Sequence, residues 1–551
     1  MNRRRTGGMP LHGRSVRILS MMAVLVALLS LAALISACGG DATTTTAPSG
    51  GTQSTQTGGS TTTAAGTVKT GGTVRIGSQT GNLDFDPALF AGNPADLALQ
   101  HQVLEKLVQL GPDFDLEPVL ATEWSSSDGK TWKFTLREGV AFSNGSPFTA
   151  DDVVYTIDRL RDPALGSAMV KVYANIDTII ADDPTHVTFN LKSPDGDFPR
   201  SLTDYRTLML SKGVADPKTH LVGTGPFVLE SSQAESGATL VKNPTYWGKD
   251  DQGNQLPYLD SLKFVYSPDM AGQIAGLQGG SLDWVGGLTA EQRQTIEASD
   301  TLKIIKSKTN YCFELQIRTD VEPGSKLEFR QAIMAGTDRQ AIIDLVAPGQ
   351  AVPGNGTLVG PGYVDYYSDQ AVPYDPAKAK ELLAAAGYAD GVKIKLVTQT
   401  ADVIPAIATA WQAQMKQIGV DVEIVQVPPD VFYTEEGEDN WYQAPFAIVD
   451  WGTRAAPITY FQLALTSDAT WNYQRWKNPQ FDDLAKQIVL ELDATKRADL
   501  YKQAQKLLQD QVPMMNFMVN EGVGGEPKNL DGVTLAPDWP QTLFRTAHFT
   551  Q

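Results

Sequence analysis

Arg137-Glu138-Gly139-Val140-Ala141-Phe142 runs into Asn144-Gly145-Ser146-Pro147-Phe148-Thr149-Ala150-Asp151-Asp152-Val153. The stretch reads as a strand, a tight turn and a capped helix in succession. β-branched and aromatic residues cluster over 131–137, as they do in strands. Asn144-Gly145 supplies the turn, because both residues tolerate the backbone angles that a tight reversal needs. Thr149 is placed to cap a helix over Ala150–Leu160, with Asp152 as its partner in a variant of the capping box. Val153, Val154, Ile157 and Leu160 then fall on one face of that helix. A strand followed directly by an amphipathic helix argues for an α/β chain.

The same alternation continues in both directions. Segments 186–192, 262–266, 392–398 and 420–426 carry strand signals. Asp375-Pro376 opens a helix that runs through Leu382 and Leu383 and stops at Gly387. Asp493 opens another, with Leu500, Leu507 and Leu508 turned inward and Pro513 beyond its end. Roughly 480 residues from Gly71 onward exceed what one hydrophobic core usually holds, so at least two lobes are expected.

The N-terminus has a different character. Arg3, Arg4, Arg5, Arg14 and Arg17 precede an apolar run that ends Leu34-Ile35-Ser36-Ala37-Cys38. A basic segment, an apolar segment and small residues follow the order of a secretory signal. The whole resembles a bacterial lipoprotein signal over 1–37, with Cys38 as the lipidated residue. The competing reading is a membrane-spanning anchor, since about 20 apolar residues suffice to cross a bilayer. Residues 38–70 offer almost no apolar surface and read as a disordered Thr/Gly/Ser-rich tether. Such a tether has a root-mean-square span of roughly 30 Å.

Charge narrows the partners. The chain has 45 Lys and Arg against 63 Asp and Glu, a formal −18. Removing 1–37 leaves 40 basic and 63 acidic residues, a formal −23. No nucleic-acid partner is expected, because such binding rests on basic residues neutralising phosphates. With Cys38 taken by lipid, Cys312 stands alone between Tyr311 and Phe313 and reads as a buried apolar residue.

Patterns that would carry catalysis are missing. No Gly-x-Ser-x-Gly elbow occurs, Gly223-Thr224-Gly225-Pro226 lacks a dinucleotide loop's third glycine, and no Walker-type loop with Gly-Lys-Ser/Thr exists. His12, His101, His186, His220 and His548 are never three or four residues apart, so a local metal site is not expected. Adjacent acids at Asp151-Asp152, Asp250-Asp251 and Asp482-Asp483 read as caps and solvated surface. No catalytic residue, metal or cofactor is assigned.

Landmarks recur in one order along the chain. Gly71-Gly72-Thr73-Val74 and Leu83-Asp84-Phe85-Asp86-Pro87 come before the opening stretch, and Gly223-Thr224-Gly225-Pro226-Phe227, Asn243-Pro244-Thr245-Tyr246-Trp247 and Tyr258-Leu259-Asp260 come after it. Arg330-Gln331-Ala332-Ile333, Tyr374-Asp375-Pro376, Trp476-Lys477-Asn478-Pro479-Gln480-Phe481-Asp482 and Pro513-Met514-Met515 complete the series. The ordered set resembles family 5 of the bacterial extracellular solute-binding proteins, the oligopeptide, dipeptide and nickel type that feeds ABC importers. The resemblance implies a two-lobed periplasmic-binding-protein clamp joined by two hinge strands. Lobe I would span 71–309 and return over 519–551, lobe II would span 310–518, and the crossings would fall near 306–313 and 516–519. It implies a monomer outside the cytoplasmic membrane that takes a small-molecule or peptide ligand to permease subunits. A tethered surface hydrolase and a ligand sensor built on the same clamp are the other function classes. Neighbouring genes separate importer from sensor, and the missing nucleophile weighs against the hydrolase.

The resemblance also marks a pocket. In peptide-binding relatives an Asp three residues after a tryptophan neutralises the ligand's α-ammonium. Here Trp451-Gly452-Thr453-Arg454 puts a guanidinium there, which suits carboxylate or phosphate. Anionic, sugar-like or N-blocked ligands then stand beside peptides. Arg454 turned outward, or paired with Asp450, is the alternative reading. By the same resemblance Phe432 or Tyr433 matches a pocket wall, Phe517 lies on the returning strand, and Phe90-Ala91-Gly92-Asn93 offers backbone groups from lobe I. Trp471 and Tyr473 are placed at the pocket mouth.

Overall fold

Alternation of side chains along two long strands sets the architecture. In the computed structural model the residues described are 68–550, apart from 80–83, 90–93, 168, 215, 235, 268, 364–365, 369, 402, 435–436 and 538–541. The signal, Cys38, the tether and the Phe90–Asn93 loop lie outside the described residues.

In chain order the first framework strands are β1 (Thr73–Ser78), β2 (Ala121–Ser125), β3 (Thr131–Leu136), β4 (Ile176–Asp183) and β5 (His186–Leu191). Then come β6 (Phe227–Gln233), β7 (Gly237–Lys242), β8 (Ser261–Tyr266), β9 (Trp284–Gly286) and β10 (Leu302–Ile317). The remainder are β11 (Val392–Gln399), β12 (Val420–Val427), β13 (Phe446–Trp451) and β14 (Met514–Pro527). One large sheet has the order β12-β11-β13-β10-β14-β9-β1-β8-β7-β6, with the short strand Ala351–Pro353 also on β14. A separate antiparallel sheet has the order β2-β3-β5-β4.

β10 and β14 pair antiparallel from Leu302↔Pro527 to Lys308↔Glu521, then from Cys312↔Val519 to Gln316↔Met514. Between those runs β10 advances four residues while β14 advances two, so the ladder slips at 309–311. The first run belongs with β9 and β1, and the second pairs with β13. The two strands therefore link two halves of the molecule, and the irregularity sits at the link.

Beyond the slip, Phe313, Leu315 and Ile317 pack with Phe446, Ile448 and Trp411 on one face. Cys312 joins Val449, Trp451, Tyr460 and Phe461 on the other. The period of two that separates these sets is that of a strand buried on both sides. Cys312 is fully buried, as its aromatic neighbours implied.

The helices start where the sequence marks them. α1 (Ala150–Leu160) begins after Thr149, whose backbone N–H donates to the Asp152 carboxylate at 2.9 Å and whose hydroxyl donates to it at 3.2 Å. Gly145 takes φ +85° in the preceding turn, a backbone that strains any L side chain. Capped by Asp375, α2 (Pro376–Ala385) ends ahead of Gly387 at φ +88°. α3 (Ile404–Ile418) covers one face of the β11–β13 region, and α4 (Pro479–Leu490) precedes α5 (Ala494–Gln511). α5 buries Leu508 fully and Leu500 and Leu507 partly, and it is capped by Asp493.

Segments from the two halves also meet away from the crossing strands. Arg497 of α5 reaches Asp197 at 3.5 Å, and Arg200 approaches the same carboxylate at 3.3 Å. The Gly196 N–H donates to the Val489 carbonyl at 2.7 Å.

The Asp152 cap also accepts the Lys212 N–H at 2.8 Å. Asp152→Ala therefore lowers the unfolding free energy by about 1–2 kcal/mol in urea titration. Exposed Asp151→Ala changes it little.

Candidate functional site

The parallel strands β11, β12 and β13 end at Gln399, Val427 and Trp451. Ligands of open α/β sheets bind beyond such carboxyl ends. The chain leaving β13 is tightly held there. The Asn310 N–H, at the slip in β10, donates to the Thr453 hydroxyl at 3.0 Å. Tyr460 donates its hydroxyl to the Gly452 carbonyl at 2.9 Å and accepts the Arg454 N–H at 3.1 Å. The Tyr363 hydroxyl donates to the Arg454 carbonyl at 2.6 Å. Both faces of the Arg454 peptide are thus fixed by buried tyrosines, and the loop is wired directly to the crossing strand.

Trp451 is 4 % exposed. Its indole N–H donates to the Glu314 carboxylate at 2.6 Å, and the Gln474 amide donates to the other oxygen at 3.0 Å. Burial pushes the Glu314 carboxyl up to about 7, against those two hydrogen bonds, which hold it down. The Trp451 ring lies 5.9 Å from Trp471, Trp471 lies 6.5 Å from Trp441, and Trp441 lies 5.2 Å from Tyr433. These rings form a continuous aromatic wall.

The two charges beside the wall are not paired with each other. Asp450 accepts from the Tyr433 hydroxyl at 2.6 Å, the Gln399 amide at 2.8 Å and the Tyr311 hydroxyl at 3.1 Å. The Arg454 guanidinium lies over the Trp451 ring with its central carbon 5.9 Å from the centroid. Its Nε is buried without a hydrogen-bond partner, and no acid pairs with Arg454 among the described residues. Burial raises the Tyr205 hydroxyl; Arg206 opposes that rise, Asp204 adds to it, and Arg454 opposes it to a smaller extent. Tyr205 follows the four-stranded sheet in sequence, so the field of Arg454 reaches a segment outside its own half.

The positions marked in the sequence divide. Trp451, Arg454, Trp471 and Tyr433 stand together at this edge, and Tyr433 is 40 % exposed. Phe432 and Phe517 must be corrected: both have no exposed surface, Phe432 within the Cys312–Trp451 core and Phe517 against Trp411. Tyr473 is also buried, with its ring 4.1 Å from Trp441, so it does not line a mouth, and Trp451 is packed as deeply. Asn93 lies outside the described residues. Glu314, Tyr363, Tyr460 and Trp441 were not singled out, because only the fold brings them beneath 451–454.

A cavity of about 210 Å³ is lined by Ser78, Gln102, Gln273, Trp284, Ser307 and Thr309, the last two on crossing strand β10. No group of three or more His, Cys, Asp or Glu among the described residues is placed to hold a metal ion. No described helix is long and apolar enough to cross a membrane.

Glu314 fixes a pH dependence. An acid whose folded pKa is raised contributes most stability below its unfolded value, near 4.5, and that contribution is lost as pH rises through about 7. The expected outcome is that the stability of Glu314→Gln relative to the native chain rises between those limits, as followed by thermal unfolding across pH.

The profile of bacterial extracellular solute-binding proteins, family 5 (middle part), matches residues 115–473. The glutathione-binding protein GsiB of Salmonella typhimurium is 30% identical over 496 residues, covering 84% of this chain and 92% of that one. HbpA2 from Haemophilus parasuis superposes with a TM-score of 0.76 at 22% identity, covering 87% of this chain and 100% of that one. DppA from Helicobacter pylori in complex with the peptide STSA superposes with a TM-score of 0.68 at 24% identity, covering 88% and 99%. With a two-lobed architecture and a profile match over most of its length, the chain belongs to the family 5 extracellular solute-binding proteins, the receptors of ABC importers.

Proposed function

We propose that the protein captures a peptide or peptide-like solute bearing an anionic group, encloses it between its lobes and delivers it to importer permease subunits. The observation that carries this reading is Arg454, a guanidinium with no acid partner among the described residues, held over Trp451 at the carboxyl edge of β13. A planar fork of donors suits a carboxylate, which it can engage through two parallel hydrogen bonds. Glutathione, named for the Salmonella relative, carries two carboxylates and is the first candidate. Other anionic, sugar-like and N-blocked compounds are the alternatives on the same wall, since flat aromatic faces accept peptide planes and sugar rings alike.

Lobe I comprises 71–309 and 519–551, and lobe II comprises 310–518. A ligand touches both lobes only when they close, so binding shifts the population toward the closed form. No bond is made or broken in this cycle, and no cofactor takes part. The mature protein is a monomer tethered through lipidated Cys38, with 38–70 as the leash.

Calorimetric titration with glutathione tests the pocket: Arg454→Ala weakens binding by about 1.5–3 kcal/mol, the scale of a charged hydrogen bond. Unchanged affinity places that side chain outside the site. The anchor is tested separately. Cys38→Ser yields unprocessed or shed protein on fractionation of cells, and full membrane retention removes the lipid from the account.

A further inference from the structure

We propose that Phe114 is a positioning residue for the binding loop: it reaches from one half of the molecule into the other and, through Tyr363, sets the Arg454 peptide while the halves are together. This inference rests on the reading that the halves close on a solute at that loop.

Phe114 sits at the tip of a hairpin in the half that carries β1. Val108–Leu110 and Leu116–Pro118 pair antiparallel. The turn between them is closed by the Gly111 N–H on the Asp115 carbonyl and the Phe114 N–H on the Gly111 carbonyl, both at 2.9 Å. There Phe114 takes φ +61°, a left-handed backbone that bulky L residues rarely adopt. Such strain persists only where the surroundings over-determine it. Here they do so through backbone and side chain alike. The Arg200 guanidinium donates to the Phe114 carbonyl, and the ring is buried in the core that holds Cys312, Trp451 and Tyr460.

The receiving notch belongs to the other half. The Phe114 ring meets Tyr363 edge-on, with centroids 4.7 Å apart and planes at 64°. A Cβ at Gly362 would lie 2.5 Å from the Phe114 ring, so glycine leaves the room that the ring fills. The far end of Tyr363 is the hydroxyl that donates to the Arg454 carbonyl at 2.6 Å. One tyrosine therefore has the inserted ring against its own ring and the binding loop on its hydroxyl.

Charged groups seat the tip. Arg200 also lies over the Tyr366 ring, 5.4 Å from its centroid, and Asp197 draws Arg200 and Arg497 together. Gly196 lets the halves approach this closely, since a Cβ there would lie 2.2 Å from the Glu491 carbonyl oxygen. When the halves part, the ring leaves Tyr363 and its apolar surface meets water, a cost that closure removes. Support for the Arg454 peptide then comes and goes with closure. Affinity thus depends on a contact between halves that the solute never touches.

The test uses the full mature chain with Phe114→Ala, Phe114→Gly and Phe114→Leu. Glycine adopts φ +61° without strain, so Phe114→Gly removes the ring while relieving the backbone and serves should Phe114→Ala disturb folding. Hydrogen exchange of the ligand-free protein, followed by mass spectrometry, is expected to rise about fivefold or more over 452–456 in Phe114→Ala and Phe114→Gly, and less in Phe114→Leu. β3 and β12 are expected to exchange as in the native chain. In calorimetric titration the same variants bind glutathione or tri-alanine about tenfold more weakly, with the number of sites unchanged. Native exchange over 452–456, or native affinity, in a folded variant overturns the inference and leaves the solute reading intact. Exchange raised uniformly, β3 and β12 included, marks a loss of packing alone and also overturns it. If the native chain binds neither probe, the solute reading falls, and exchange over 452–456 decides this inference by itself.

Discussion

The ladder between β10 and β14 is the constraint on which the rest of the molecule depends. Both strands are long enough to serve two halves, and they remain hydrogen-bonded to each other through both. A strand cannot bend sharply within a regular ladder without leaving backbone groups unpaired. The slip at 309–311 resolves this, because extra residues on β10 let the ladder break and resume. Backbone groups freed there find local partners: the Asn310 N–H goes to Thr453, and the Thr309 hydroxyl reaches the Asn520 carbonyl at 2.6 Å. The point where the ladder slips is thus also the point from which the loop after β13 is held.

That coincidence joins conformation to recognition. Tyr460 accepts from the Asn310 amide at 2.9 Å and also holds Gly452 and Arg454, so one buried hydroxyl ties the crossing strand to the loop bearing the guanidinium. Contacts between the halves elsewhere include a buried charged set. Asp197, Arg200 and Arg497 are buried together, while Asp197 Oδ2 and the Nε atoms of both arginines accept or donate no hydrogen bond. Burial pushes the Asp197 carboxyl up, and the two arginines pull it back. A buried charge network with unsatisfied atoms contributes little net stability. An interface of that kind suits halves that must separate as well as meet.

Much of the fold was legible in the sequence. The strand at 131–137 and the helix opened by Thr149 were readable from side-chain period and a cap, both of which are local. Asp375 and Asp493 marked their helices for the same reason. Trp451 and Arg454 were singled out through the ordered family landmarks, and the structure sets them side by side. Phe432, Phe517 and Tyr473 misled, because an aromatic residue beside a pocket has the same composition whether it faces the ligand or supports the wall. Only packing against Trp441, Trp411 and the Cys312 core tells the cases apart.

By itself the sequence determined the α/β character, the helix caps, the expectation of more than one lobe and the family, since these follow from period, capping chemistry and ordered landmarks. Tertiary structure alone decided that Glu314 lies beneath Trp451, that Asp450 is claimed by Tyr311, Tyr433 and Gln399, and that Arg454 has no counter-ion among the described residues. Each of those facts depends on residues far apart in the chain, brought together by strand register. A shift of one position would send every such side chain to the other face of the sheet.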